Sequence, residues 1–86
     1  MANIAPLSNP LGRLHGLHGV SFTPGDGRRD VGLSLQEVEA MCPEATFTDK
    51  DGTQKVDLAK IVPLLVEAVN TLCRRVQRLE AAAASA

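Results

Sequence analysis

The residues best suited to chemistry are few. His15 and His18 stand at HxxH spacing and, with Cys42 and Cys73, make up a nominal zinc set. Glycines surround the histidines and each cysteine is isolated, so polar or half-buried histidines are the expected reading. Asp49, Asp51 and Asp57 resemble part of a calcium loop. A loop phased on Asp49, Asp51 and Gly52, however, needs an acid where Phe47 stands and a glutamate where Leu58 stands. A glycine-closed hairpin turn, with Asp57 capping the helix that follows, accounts for these residues better. Gln36 and Glu37 have no nucleophile beside them, which points to capping or to polar contacts between subunits. Arg28 and Arg29 could hold a phosphate, but next to a tight turn they read as solvated edge residues that discourage further strand pairing. No metal and no cofactor is expected.

Composition narrows the function classes. A chain of 86 residues makes one domain at most and buries a smaller fraction of its surface than a mid-sized domain. Two phenylalanines, with neither Trp nor Tyr, leave little aromatic bulk for a monomeric core and no stacking platform for single-stranded nucleic acid. The formal net charge of −1 gives no strong field, so neither nucleic acid nor an anionic membrane is an expected partner. The two separated cysteines suit a reducing compartment, and no stretch has the length of a membrane span or the form of a signal peptide. The expected location is the cytoplasm.

The local signals describe small elements. Pro10 to Gly19, with leucines at 11, 14 and 17, predicts a short helix. Residues 20–23 alternate, meet Pro24-Gly25-Asp26-Gly27 and resume at 28–33, which predicts a β-hairpin. Ser34 stands three residues before Glu37 in a capping-box arrangement, predicting a helix over 35–41 that stops before Pro43. A second hairpin follows over 45–48 and 53–56, turning at Asp49-Lys50-Asp51-Gly52. Pro63 lies near the start of the last helix and predicts a kink or a loosened turn. Residues 81–86 read as a fraying end.

The final segment carries the clearest pattern. Leu58, Val62, Leu65, Val69, Leu72, Val76, Leu79 and Ala83 follow an unbroken 4-3 spacing, a coiled-coil seam. From residue 58 to 69 nearly every position is apolar, so this part should be wrapped by the hairpins or by neighbouring subunits. Beyond Asn70 only the seam stays apolar, and Arg75 and Glu80 fall on opposite flanks where an interchain ion pair can form. Valine alternating with leucine favours dimers in isolated parallel coils. The alternative is a single helix folded back on its own hairpins. The chain thus divides into a globular part at 1–57 and a coiled-coil helix at 58–86.

One family is resembled along residues 3–80. The run Gly19-Val20-Ser21-Phe22, Asp26-Gly27-Arg28-Arg29-Asp30-Val31-Gly32-Leu33, Gln36-Glu37-Val38-Glu39, Pro43-Glu44, Asp51-Gly52, Val56-Asp57-Leu58 and Leu64-Leu65-Val66-Glu67-Ala68 resembles the C-terminal intramolecular chaperone domain of bacteriophage tailspikes, endosialidases and tail fibres. The resemblance implies an α+β fold in which two small β-hairpins and short helices surround a C-terminal helix forming a parallel trimeric coiled coil. It also implies a homotrimer that registers three fibre chains and helps the preceding stalk to fold. Self-cleaving members carry a Ser-Lys dyad upstream of an Asn-Ile pair. Asn3-Ile4 matches that pair, but the lysine's place falls at or before Met1 and the serine would lie outside the chain. No pairing of Ser8, Ser21, Ser34 or Ser85 with Lys50, Lys55 or Lys60 restores the spacing. Leu35 stands where the family has a small residue, and Leu58 where it commonly has an aromatic one.

The expected function is therefore a non-enzymatic trimerisation and folding chaperone for a phage tail-fibre or tailspike polypeptide, active in the host cytoplasm during assembly. Two alternatives are a permanent tip component of the virion tail and a fragment of a self-cleaving chaperone peptidase domain.

Overall fold

The computed structural model describes residues 3–85. The expectations attached to Met1, at or before which the lysine of the resembled family's dyad would fall, and to Ala86 lie outside them. The fold is α+β. Helix α1 (Pro10–His15) leads into strands β1 (Gly19–Phe22) and β2 (Asp30–Leu33), then helix α2 (Leu35–Met41) and a 3-10 turn (Pro43–Ala45). Strands β3 (Thr46–Thr48) and β4 (Gln54–Val56) follow, and a second 3-10 turn (Leu58–Ile61) runs into the long helix α3 (Val62–Ala84). Each hairpin is an antiparallel pair standing alone, with Val20 opposite Gly32 in the first and Phe47 opposite Lys55 in the second.

The turns form for local reasons. In the second hairpin the Asp49 carboxylate accepts the backbone N–H groups of Asp51 and Thr53 at 2.9 and 3.0 Å, while Gly52 takes a φ of +79° that a side chain would oppose. In the first, the Gly27 N–H closes a turn on the Pro24 carbonyl at 3.0 Å. Asp57 caps the turn after β4 by accepting from the Ala59 N–H at 3.1 Å.

One expectation needs correction, and three gain detail. The capping box does not form: Ser34 makes no side-chain cap bond, and Glu37 reaches back to His18 instead, accepting its backbone N–H at 3.1 Å and meeting its ring Nδ1 at 2.8 Å. Tertiary proximity of the α1–β1 connection outbids the local partner. The last helix opens at Leu58 with residues 58–61 wound as a 3-10 turn under the Asp57 cap before the α-helix proper. Pro63 follows directly on that turn, where the winding changes from 3-10 to α. It occupies the second position of α3, where the N–H it lacks would be unpaired in any case. The C-terminal run stays helical to Ala84, as alanine's helix propensity favours.

The core is small. Val38, Cys42, Ala45, Ile61 and Leu64 are buried together, with Leu14, Leu17, Leu33 and Val56 packed at its edge, while Ala68 is buried further along α3. With so little apolar burial, polar staples matter. Arg13 Nε donates to the Met41 carbonyl at 2.7 Å and its Nη2 pairs with the Glu44 carboxylate, fastening α1 across the end of α2. A Cβ at Gly16 would stand 2.5 Å from Met41 Sδ, so the Met41 side chain packs over the end of α1 and would have to shift to admit one.

Three carboxylates are held below their ordinary values: Glu37 chiefly by its hydrogen bond with His18, Glu44 chiefly by its own backbone N–H and then by Cys42 and Arg13, and Asp49 chiefly by Lys55. A depressed folded-state pKa stabilises above the unfolded value and is lost as pH falls through the folded one. Urea midpoints should therefore drop below about pH 4.5, near the ordinary glutamate pKa. Glu37→Gln should make that acid limb shallower by up to about one proton; an unchanged slope would show that the His18 pair contributes nothing.

Candidate functional site

Helix α3 has 23 residues and is about 34 Å long at 1.5 Å per residue. Its sequence offers two apolar stripes at helical spacing, and the fold uses only one. Ile61 in the turn before it, then Leu64 and Ala68, face the body at 8%, 1% and 0% exposure, and the half-buried Thr71 extends that side. Helix α1 lies along α3. The seam residues Leu58, Val62, Leu65, Val69, Leu72, Val76 and Leu79 are all left 45–70% exposed. The helix is folded back on its own body, but not by its heptad face.

This separation has a chemical consequence. Two registers cannot share one face of one helix, so burial of the stripe at 61, 64, 68 and 71 turns the 3.5-residue repeat away from the body. The exposed stripe continues beyond α3 at its N-terminal end. Leu58 borders an open groove lined by Val20, Val31 and Leu33 of the first hairpin, where Val20 and Val31 are themselves exposed. At the other end Val69, Leu72, Cys73, Val76 and Glu80 line a shallow surface along the seam. An open apolar surface of this shape lacks the enclosure that a small-ligand pocket provides.

The other sequence candidates are dispersed. Arg75 and Glu80 are both exposed, and neither joins an ion pair among the described residues. Of the residues that carry the family resemblance, Asp30 accepts the Val31 N–H at 2.8 Å at the start of β2, and the Phe22 ring lies over Gly32. Val38 is a core residue, Val56 packs at the core's edge, Pro43 opens a 3-10 turn and Gln36 is exposed on α2. Asp51 and Gly52 belong to a turn, Asp57 to a cap and Glu37 to the His18 link. These positions build the scaffold and do not converge on one point.

The metal and phosphate alternatives are also placed. Cys42 is buried and its Sγ lies 3.2 Å from Glu44 Oε1, whereas Cys73 is exposed on α3. Among the described residues no three or more His, Cys, Asp or Glu side chains gather as a metal site. Asp49, with Lys55 Nζ at 2.7 Å and two backbone N–H donors, is occupied in closing its turn. Arg29 Nη2 donates to Ser21 Oγ at 3.2 Å across the first hairpin, and Arg28 is exposed. Among the described residues no helix is long and apolar enough to cross a membrane.

Two contacts escaped the sequence reading. The Arg13 staple and the Glu37–His18 link join residues 31 or 19 positions apart, and no spacing rule signals them. The buried stripe did have a signal, the nearly continuous apolar run at 58–69, but the run alone does not say which of its two helical faces meets the body. No family model matches the chain, and no curated protein matches it.

The two faces can be separated by experiment. Leu64→Ala should cost about 3 kcal/mol in urea unfolding, independently of protein concentration, because it opens a cavity inside one copy. Leu72→Ala should have an effect that grows with concentration, because that leucine gains a partner only when copies meet. Equal, concentration-independent costs would mean that the seam is buried within one chain.

Proposed function

We propose that this chain is a non-cleaving homotrimeric chaperone and trimerisation module for a phage tail-fibre or tailspike polypeptide, with α3 forming a parallel three-helix coiled coil. The observation that carries the proposal is the unpartnered heptad seam on a helix whose neighbouring face is already satisfied by its own body. A regular seam held away from the core is suited to a second copy of the same helix, because identical heptads match layer by layer.

The surface area points the same way. The chain exposes 6656 Å², whereas a folded monomer of its mass exposes about 4900 Å². The excess, roughly 1,800 Å², is about twice the 800 Å² that one partner contributes to a standard interface. Two such faces per chain suit a ring in which each copy has two neighbours. Stoichiometry otherwise rests on the family resemblance, since the alternation of valine and leucine by itself favours two strands.

The mechanism follows from chain entropy. β-rich fibre stalks pair residues from different chains over long separations and form slowly. A small module made of local hairpins and one helix folds early, and once trimerised it holds the fibre chains at high effective concentration and in register. The Arg75–Glu80 pairs would contribute to register more than to stability, as exposed ion pairs give only about 0–1 kcal/mol. The hairpins, with Phe22 and Phe47 exposed, would grip neighbours or the stalk.

The test is native mass across a dilution series. The wild-type chain should persist as a trimer, and Leu65→Asp or Leu72→Asp should yield a single copy because three carboxylates would be buried side by side on the axis. Arg28→Ala should leave the mass unchanged. A wild-type monomer, or trimers from both Asp variants, would overturn the proposal. Co-expression with the fibre should raise its soluble trimeric yield, and an unaffected yield would remove the chaperone role while leaving trimerisation.

A further inference from the structure

The flanks of the seam carry a second pattern, and its reading rests on the oligomer proposed above. With Val62, Val69 and Val76 at heptad position a and Leu65, Leu72 and Leu79 at d, Ile61, Ala68 and Arg75 fall at g, and Val66, Cys73 and Glu80 at e. In a parallel, in-register coil each g residue faces the e residue five places later on the neighbouring helix. The facing positions are then 61 with 66, 68 with 73, and 75 with 80.

The g column changes character along the helix. Ile61 and Ala68 are closed off by their own body, with α1 along α3, whereas Arg75 lies past the body and is exposed. The e column changes at the same level. Val66, half exposed, and Cys73, exposed, are apolar where the facing g positions are covered, and Glu80 is acidic where the facing g residue is a free arginine. A coiled coil of bare helices would favour charged residues at all three e positions. Apolar e residues are explained if protein, not solvent, lies over them.

We infer that the Val66–Cys73 flank of α3 is covered by the α1 side of the body of a second copy of this chain, so that each body seats on the next helix around the ring. The occupant is a second copy because the match is between this chain's own g and e columns, including the charge complement at 75 and 80. The surface excess, equal to about two standard faces, leaves room for contacts wider than a strict a/d seam. The contact is heterologous, from the g side of one copy to the e side of the next, and the shared axis of the parallel, in-register coil is what closes it into a ring.

The two cysteines make the inference directly testable. Cys42 is buried and burial pushes its thiol up, so Cys73 is the thiol that a soluble disulfide reagent reaches first. In the full chain at assembled concentrations Cys73 should react at least about tenfold more slowly than in Leu65→Asp, because labelling then requires opening of the interface. Mild oxidation should give no disulfide-linked dimer, since e residues do not face each other in a parallel coil. Val66→Lys, at a site exposed in the single copy, should raise the concentration needed for assembly at least about tenfold, and Asn70→Lys on the outer face should not. An oligomer whose Cys73 reacts at the free rate would overturn the body-on-helix contact and leave the coiled coil standing. A disulfide-linked dimer, or normal assembly of Val66→Lys, would overturn the contact too, and a wild-type monomer would remove both readings.

Discussion

Helix α3 has more apolar surface than the remainder of the chain can cover. That imbalance governs the structure. The body satisfies the stripe through Ile61, Leu64 and Ala68, and the geometry of a helix then leaves the heptad stripe about 100° round from it, clear of the body. The large accessible area, the small core and the open groove beside Leu58 follow from the same division. A monomer of this sequence could hide the seam only by exposing the stripe that now anchors α1.

The body needs no large core if its main duty is to hold one side of a helix. Its buried residues are few, and its hairpins are single pairs that would be marginal in isolation. Stability is supplemented by directional links placed at the joints between elements: Arg13 from α1 to the end of α2, Glu37 from α2 to the start of β1, and Asp57 at the entry to the long helix. These links fix where α1 lies relative to α3, which decides which stripe remains exposed. Asp51, Gly52, Asp57, Val38 and Val56 are likewise spent on turns, a cap and core positions, so they specify a scaffold.

The same arrangement ties oligomer geometry to the fold of one copy. If the seam alone joined the copies, the body would be passive and the flanking positions of α3 free to vary in charge. In the proposed assembly the change from apolar to acidic between Cys73 and Glu80, level with the last half-buried position Thr71, would instead couple the helix flank to the body of a neighbour. An assembly built this way would have its register set by body and helix together.

The sequence by itself determined the elements whose causes are local. Both hairpins, the helix over 35–41, the turn at Asp49 to Gly52 and the Asp57 cap were legible because a proline, a glycine or a side-chain oxygen acts within a few residues of itself. The heptad period was legible too, since it is a property of spacing. Tertiary structure alone decided three things. It gave Glu37 to His18 rather than to a cap, because a distant donor came within reach; it placed Pro63 in a first turn, where it is harmless, by winding 58–61 as a 3-10 segment; and it chose which of two apolar stripes to bury. In residues 58–69 almost every position is apolar, so periodicity permits either face, and only the position of α1 and the core across the chain breaks the tie.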